Sequence, residues 1–174
     1  MQIDYREAEA SDLEAINQLV DLIFGLGYHR VKRPFGAKVK CFVALVEGKI
    51  VGLATGEISA VHFHAAFQKV KSFLPLEEIA IFDLFMVHPD FRKRGIGSQL
   101  FQLRLNFFKE KTSRFALIHW KEGVHEKPLI AIRNDFKAVQ EFSDFWKEQS
   151  LSEVFNCERC GKPPCRCTAI LYVK

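Results

Sequence analysis

Apolar and polar residues recur along the chain with a period that changes from segment to segment, and those changes divide it into elements. Residues 2–7 alternate and predict a short first strand. Ser11-Asp-Leu-Glu14 has the spacing of a capping box, and Leu13, Ile16, Val20 and Ile23 follow at helical intervals, so a helix is expected to run to Gly25 or Gly27. Glycines, Pro34 and basic residues then suggest a loop or short irregular helix over 26–40. Residues 41–46 and 50–58 read as two strands joined through Glu47-Gly48-Lys49, with Gly52 and Gly56 marking bulges or the close approach of another chain or ligand. Residues 61–74 read as a loop or short helix, and residues 79–87 as a central strand, apolar almost throughout. From Ser98 to Lys111, Leu100, Leu103 and Phe107 form one apolar stripe with Phe101, Leu105 and Phe108 beside it, predicting a helix packed on a sheet. Residues 115–120 are the next strand, joined to the central strand through that helix as a right-handed crossover. The stretch 121–133 gives no periodic signal. Val139, Phe142, Phe145 and Trp146 resume a helical spacing, and residues 151–156 and 168–174 read as a closing hairpin with a run of cysteines at its tip.

The densest chemistry lies between Ile79 and Ser98. His88-Pro89-Asp90 stops the strand, because proline has no N–H for the ladder. After Arg92-Lys93-Arg94, Gly95 and Gly97 allow a tight turn that leaves backbone N–H groups uncovered at the start of the next helix. Such a turn binds anions, since the free donors and the positive helix end point the same way. The same residues would also serve a plain strand-turn-helix connection. Asp83 is the only ionisable residue between Ile79 and Val87, and burial among those neighbours would raise its pKa; a buried Asp satisfied by backbone donors or a neighbouring basic group is the alternative.

The succession of strand, proline, Arg-x-x-Gly-x-Gly and amphipathic helix resembles motif A of the GNAT superfamily of N-acyltransferases, with Arg92, Gly95 and Gly97 in the signature places. The resemblance implies an α/β (α+β) fold, a mixed central sheet flanked by helices. It implies acetyl-coenzyme A as cosubstrate, bound by Phe85, Met86 and Val87 of the strand and by Arg92, Lys93, Arg94, Gly95, Ile96, Gly97 and Ser98 of the turn. N–H groups near Met86 and Val87 would polarise the thioester carbonyl. Asp83, four residues before Val87, stands where some polyamine-acetylating relatives carry a glutamate, and is the candidate base that deprotonates an amine acceptor. Glu57 and His88 are alternatives. The family's Phe-Tyr-Glu-Lys-x-Gly-Phe pattern, whose tyrosine protonates the departing thiolate, corresponds here to Phe145-Trp146-Lys147-Glu148-Gln149-Ser150-Leu151. Trp146 cannot donate as that tyrosine does, and Ser150 replaces the glycine. Tyr28, His29 and Phe35 would lie over the acceptor, or anchor a surface loop.

Length and composition change this picture little. A chain of 174 residues, 48% hydrophobic and 26% charged, suits one domain spanning 1–174. Neither a leader at Met1-Gln-Ile-Asp nor an apolar run of membrane-spanning length is legible, so the expected setting is the cytoplasm. The net charge of +4 is modest, and Arg30, Lys32, Arg33, Lys38 and Lys40 read as a solvated face or as a basic mouth for an anion. The cysteines add more. Cys157-x-x-Cys160-Gly followed by Cys165-x-Cys167 brings four thiolates together, suited to a structural zinc in a hairpin at 157–167. Disulfides, which a cytoplasmic setting disfavours, and reduced thiols without metal are the alternatives. Cys41 reads as core.

The function expected is acetyl transfer from acetyl-coenzyme A to a primary amine on a small molecule or a protein. A non-catalytic acyl-coenzyme A sensor and a zinc-knuckle module binding nucleic acid or protein are the competing readings. The modest charge weighs against nucleic acid. Expected partners are the cosubstrate and an amine acceptor, with a second copy of the chain as a further candidate and no membrane.

Overall fold

The computed structural model describes residues 2–26, 31, 38–59, 70–74, 78–121, 127–152 and 156–174. Expectations for Tyr28, His29, Arg30, Lys32, Arg33 and Phe35 lie outside the described residues. The strands β1 (Asp4–Glu7), β2 (Val39–Val46), β3 (Lys49–Ser59), β4 (Ile79–Val87), β5 (Phe115–Trp120), β6 (Lys137–Phe142) and β7 (Ala169–Val173) form one sheet in the order β1-β2-β3-β4-β5-β7-β6. The described helices are α1 (Leu13–Phe24), α2 (Ile96–Lys109) and two short ones, α3 (Leu129–Ile132) and α4 (Lys147–Ser152). All strand pairs are antiparallel except β4 with β5, which α2 joins as a crossover. The fold is the mixed sheet flanked by helices that the sequence implied.

Each face of the sheet carries one long helix. Ile16, Leu19 and Val20 of α1 pack on Val43, Leu53, Leu84 and Met86, while Phe101, Leu105 and Phe108 of α2 pack on Phe82, Phe115 and Tyr172. Helix α2 comes so near β3 that a Cβ on Gly56 would stand 2.6 Å from the Phe108 ring, and one on Gly52 would stand 3.0 Å from Leu100. Those two glycines mark the close approach of α2, not of another chain or ligand, and both also adjoin register shifts in the sheet, as the bulge reading had it.

Three local expectations are corrected. The helix-start cap is not Ser11 with Glu14: Asp12 accepts from the Glu9 N–H at 2.7 Å, and α1 begins at Leu13. Residues 137–142 form the edge strand β6, not a helix; Lys137 to Glu141 are exposed, and the aromatic spacing that suggested a helix comes from Phe145 and Trp146 in the turn that follows. Strand β7 consequently pairs with β6 and β5, and the cysteines lie in the long connection from β6 to β7. Residues 147–152 are helical, and residues 153–155 of the strand expected over 151–156 lie outside the described residues.

Candidate functional site

Strands β4 and β5 pair only where Ala80, Ile81 and Phe82 meet Phe115, Ala116 and Leu117. Beyond Phe82 they part, and the cause is visible in β4. Across from it, Ala54 pairs with Phe85 and Gly56 with Phe82, so Asp83 and Leu84 together oppose Thr55. Two residues against one make a bulge, which bends the strand. The Thr55 hydroxyl accepts from the Leu84 N–H at 2.8 Å, and Arg104 of α2 closes the defect from beneath. Its Nη1 donates to the Thr55 carbonyl at 2.9 Å and lies 3.4 Å from the Leu84 carbonyl. Only 1% of Arg104 is exposed, and its guanidinium lies 4.0 Å over the Phe82 ring. Burial pushes it down to about 9, against the opposing charge of Asp83, so it is cationic at neutral pH. Cys41 is a buried thiol pushed up to about 12 by burial, as suits core.

The polar groups of β4 turn into the resulting gap on alternate residues. His88 donates its N–H to the Val51 carbonyl at 2.8 Å, which fixes the register toward β3. By the alternation of an antiparallel pair, the amides of Phe85 and Val87 then face away from β3, toward the gap. The Val87 carbonyl does so visibly, accepting from Arg92 Nε at 3.0 Å. By the same alternation the Met86 amide faces β3, so of the two amides expected near the thioester, Val87 is the one that faces the opening.

A cavity of about 620 Å³ fills this gap. Its floor includes Asp83, Phe85, Met86 and Val87, and its rim Arg92, Lys93, Gly95, Ile96, Gly97 and Ser98. Lys93 and Gly95 have φ of 60° and 80°, both left-handed. That conformation curls successive N–H groups around a concavity, an anion nest at the start of α2. No acidic residue occupies the first turn of α2, and its first internal bond runs from Gln99 to the Gly95 carbonyl at 3.0 Å. A Cβ on Gly97 would stand 3.3 Å from Ile130 and 3.4 Å from Phe85, so the turn has no room for a side chain. Arg94 is not among the described lining residues. It donates to the Asp90 carbonyl at 3.2 Å and lies over the Phe91 ring. Glu57 and His88 are likewise not among them, and His88 is engaged with the Asp90 N–H at 3.3 Å.

Several lining residues escaped the sequence reading. Lys127 and Arg133 flank α3, which supplies the Ile130 contact at the glycine turn, so cations gather at this mouth. His119 is the ionisable side chain on the parted half of β5, its ring 6.2 Å from that of Tyr172. The alternation of β5 could have flagged both His119 and Trp120. Lys127 and Arg133 lie in or beside a stretch without periodicity and left no signal.

Cys157, Cys160, Cys165 and Cys167 all bring their sulfurs within 4.8 Å of one another. All are free thiols; the contacts of Cys167 with Cys157 and Cys160 are 3.6 and 3.5 Å, beyond disulfide length. A tetrahedron with metal–sulfur bonds of about 2.3 Å has edges of about 3.8 Å, close to these spacings. The loop is built for such a set. Cys157 and Gly161 exchange backbone bonds at 2.9 and 2.8 Å, and the amides of Cys160 and Arg166 point at the sulfurs of Cys157 and Cys160, each at 3.4 Å. Burial raises the Cys160 thiol, but the Arg166 amide and the neighbouring sulfurs outweigh it and hold its pKa low. Burial first, then the neighbouring cysteines, raise Cys165 to about 11 and Cys167 further still. Ser150, where the family pattern has glycine, is fully buried, and its hydroxyl accepts from the Cys165 amide at 2.8 Å. Trp146 is also buried and, with Trp120, borders both the cysteines and the main cavity.

The family model of the acetyltransferase (GNAT) domain matches residues 37–132. A search of curated proteins by sequence gives no match. Among solved structures, Arabidopsis thaliana NAA60 in complex with a bisubstrate analogue superposes with a TM-score of 0.67 at 16% identity, covering 99% of this chain and 97% of that one. The ribosomal-protein-S18-alanine N-acetyltransferase of Escherichia coli superposes with a TM-score of 0.67 at 13% identity, covering 99% and 92%. A polyamine N-acetyltransferase of Drosophila melanogaster gives 0.64 at 13% identity, covering 99% of each chain.

Proposed function

Because the chain belongs to the GNAT acetyltransferase family, we propose that it transfers an acetyl group from acetyl-coenzyme A to a primary amine. The observation that carries this reading is the parting of β4 from β5 above a basic nest at the start of α2. The nest amides, Arg92 and Lys93 take the pyrophosphate, and Lys127 and Arg133 add charge at the same mouth. The parted edge of β4 offers its amides to the pantetheine arm, and the Val87 N–H polarises the thioester carbonyl. Asp83 accepts the proton that an alkylammonium must lose before its nitrogen attacks the carbonyl carbon. The C–S bond then breaks and the thiolate leaves, a tolerable leaving group because thiols titrate near 8.5, and the second proton released by the new amide nitrogen converts it to the thiol.

The four cysteines hold a structural zinc. Their spacing and the amides aimed at their sulfurs support it, and with four protein ligands no position remains for substrate. A cytoplasmic setting, in which thiols stay reduced, goes with this assignment. A second reading, cofactor binding without turnover, rests on Trp146: the cavity wall has an indole where the family pattern has a proton-donating tyrosine.

Calorimetric titration with acetyl-coenzyme A tests the reading. Gly95→Glu and Gly97→Glu are expected to weaken binding by roughly a hundredfold or more, since each sets a carboxylate against a diphosphate, while circular dichroism reports whether each variant folds. Absence of saturable binding by folded wild-type protein would sink the assignment. Asp83→Asn is expected to lower turnover roughly a hundredfold with cosubstrate affinity nearly unchanged. Unaltered turnover would eliminate Asp83 as the base.

A further inference from the structure

The cavity is electrically lopsided. Arg92, Lys93, Lys127 and Arg133 cluster around the glycine turn, whereas its carboxylates, Asp83 and Glu158, lie elsewhere along it. Glu158 belongs to the cysteine loop, inside the Cys157–Gly161 turn, and borders the same recess as Phe24, Trp120 and Trp146. Its carboxylate has no hydrogen bond or ion pair with another described residue. The C-terminal end of α1 closes in from the other side: a Cβ on Gly25 would stand 2.6 Å from the Asn156 carbonyl and 4.0 Å from the Glu158 amide. That helix end carries a partial negative charge, and its last turn holds no basic residue. The rings of Phe24 and Trp120 are 6.4 Å apart and line the same space.

A carboxylate, a helix C-terminus and three aromatic rings around one opening make a place for a cation, held by charge and by the ring faces. We infer that Glu158 is a specificity-determining residue, selecting amine acceptors that carry a second positive charge, with the reacting amine at Asp83 and the other cation at Glu158. This rests on the acetyl-transfer reading for the reaction, but not for the binding of the cation. The cysteine loop thereby gains a role in recognition. It presents Glu158 from a turn fixed by its own backbone bonds, where an untethered loop of such length would not hold a carboxylate in place.

The test compares putrescine with n-butylamine, and cadaverine with n-pentylamine, both as acetyl acceptors and as ligands titrated into protein saturated with coenzyme A. In the wild type each diamine is expected to show roughly tenfold lower KM and Kd than its monoamine, the size of one charge-assisted contact at a partly open site. Glu158→Gln should erase that ratio while leaving monoamine kinetics and cosubstrate affinity unchanged, and Glu158→Asp should restore part of it. Diamine and monoamine behaving alike in the wild type, or a ratio that survives Glu158→Gln, overturns the inference, as does a failure of every amine to bind. Binding that discriminates without turnover of any amine sinks the enzymatic reading alone and leaves the cation site standing.

Discussion

At the scale of single residues, Arg104 shows how much of the site depends on a side chain that belongs to no obvious motif, although it lines the cavity. Its neighbours on α2 are apolar, and the helical stripe gives no hint that a cation lies at the centre of the packing. The reason lies in the bulge: two carbonyls of β3 and β4 turn into the interior, and a charged donor satisfies them. Arg104→Met keeps most of the volume but strands the Thr55 carbonyl and leaves the Leu84 carbonyl only the Thr55 hydroxyl at 3.5 Å, and is expected to cost about 2–3 kcal/mol in urea denaturation. A loss below about 0.5 kcal/mol would mean that the carbonyls find other donors. Asp83 was legible by elimination, because it interrupts an apolar run. Its surroundings were legible only in part: a neighbouring basic group was one of the alternatives, and the charge of Arg104 does act on it, but Asp83 is half-buried and not enclosed as the apolar run suggested.

At the scale of elements, legibility tracked how local the determining forces are. The strand before the proline, the glycine turn and α2 are set by residues close in sequence, and all stand where the pattern placed them. Strand β6 defeated the same reasoning because it is an exposed edge, where Lys137 to Glu141 bury nothing and periodicity carries little information. The error put the cysteine loop at the tip of a hairpin of residues 151–156 and 168–174 when it lies in the connection from β6 to β7, though the Cys-x-x-Cys and Cys-x-Cys spacing still identified its four sulfurs. With a metal at its centre, that connection is cross-linked to itself and tied through Ser150 to α4. Stripping the metal with a strong chelator is expected to lower the melting temperature by roughly 5 °C or more in a domain of this size, the shift of about 2 kcal/mol, and readdition of zinc should reverse it. An atomic-absorption ratio near one zinc per chain checks the premise. Protein purified without metal and melting no lower would show that the thiols serve without it.

At the scale of the whole molecule, the sheet order places β7 between β5 and β6, although β5 and β7 are far apart in the chain. The central motif could be read in isolation. This insertion could not, because which edge a late strand chooses is decided by contacts that no local window contains. It governs the order in which the molecule can assemble. Strand β5 can dock on β4 once α2 has formed, but its other edge waits for residues 169–173, and β6 has no place in the sheet before they arrive. In that order the last pairing to be completed spans the connection that carries the cysteines. A cation gathering those four sulfurs would shorten the span to be closed and lower its entropic cost. The same loop would act in time as well as in space, drawing the last strand into the gap that completes the sheet.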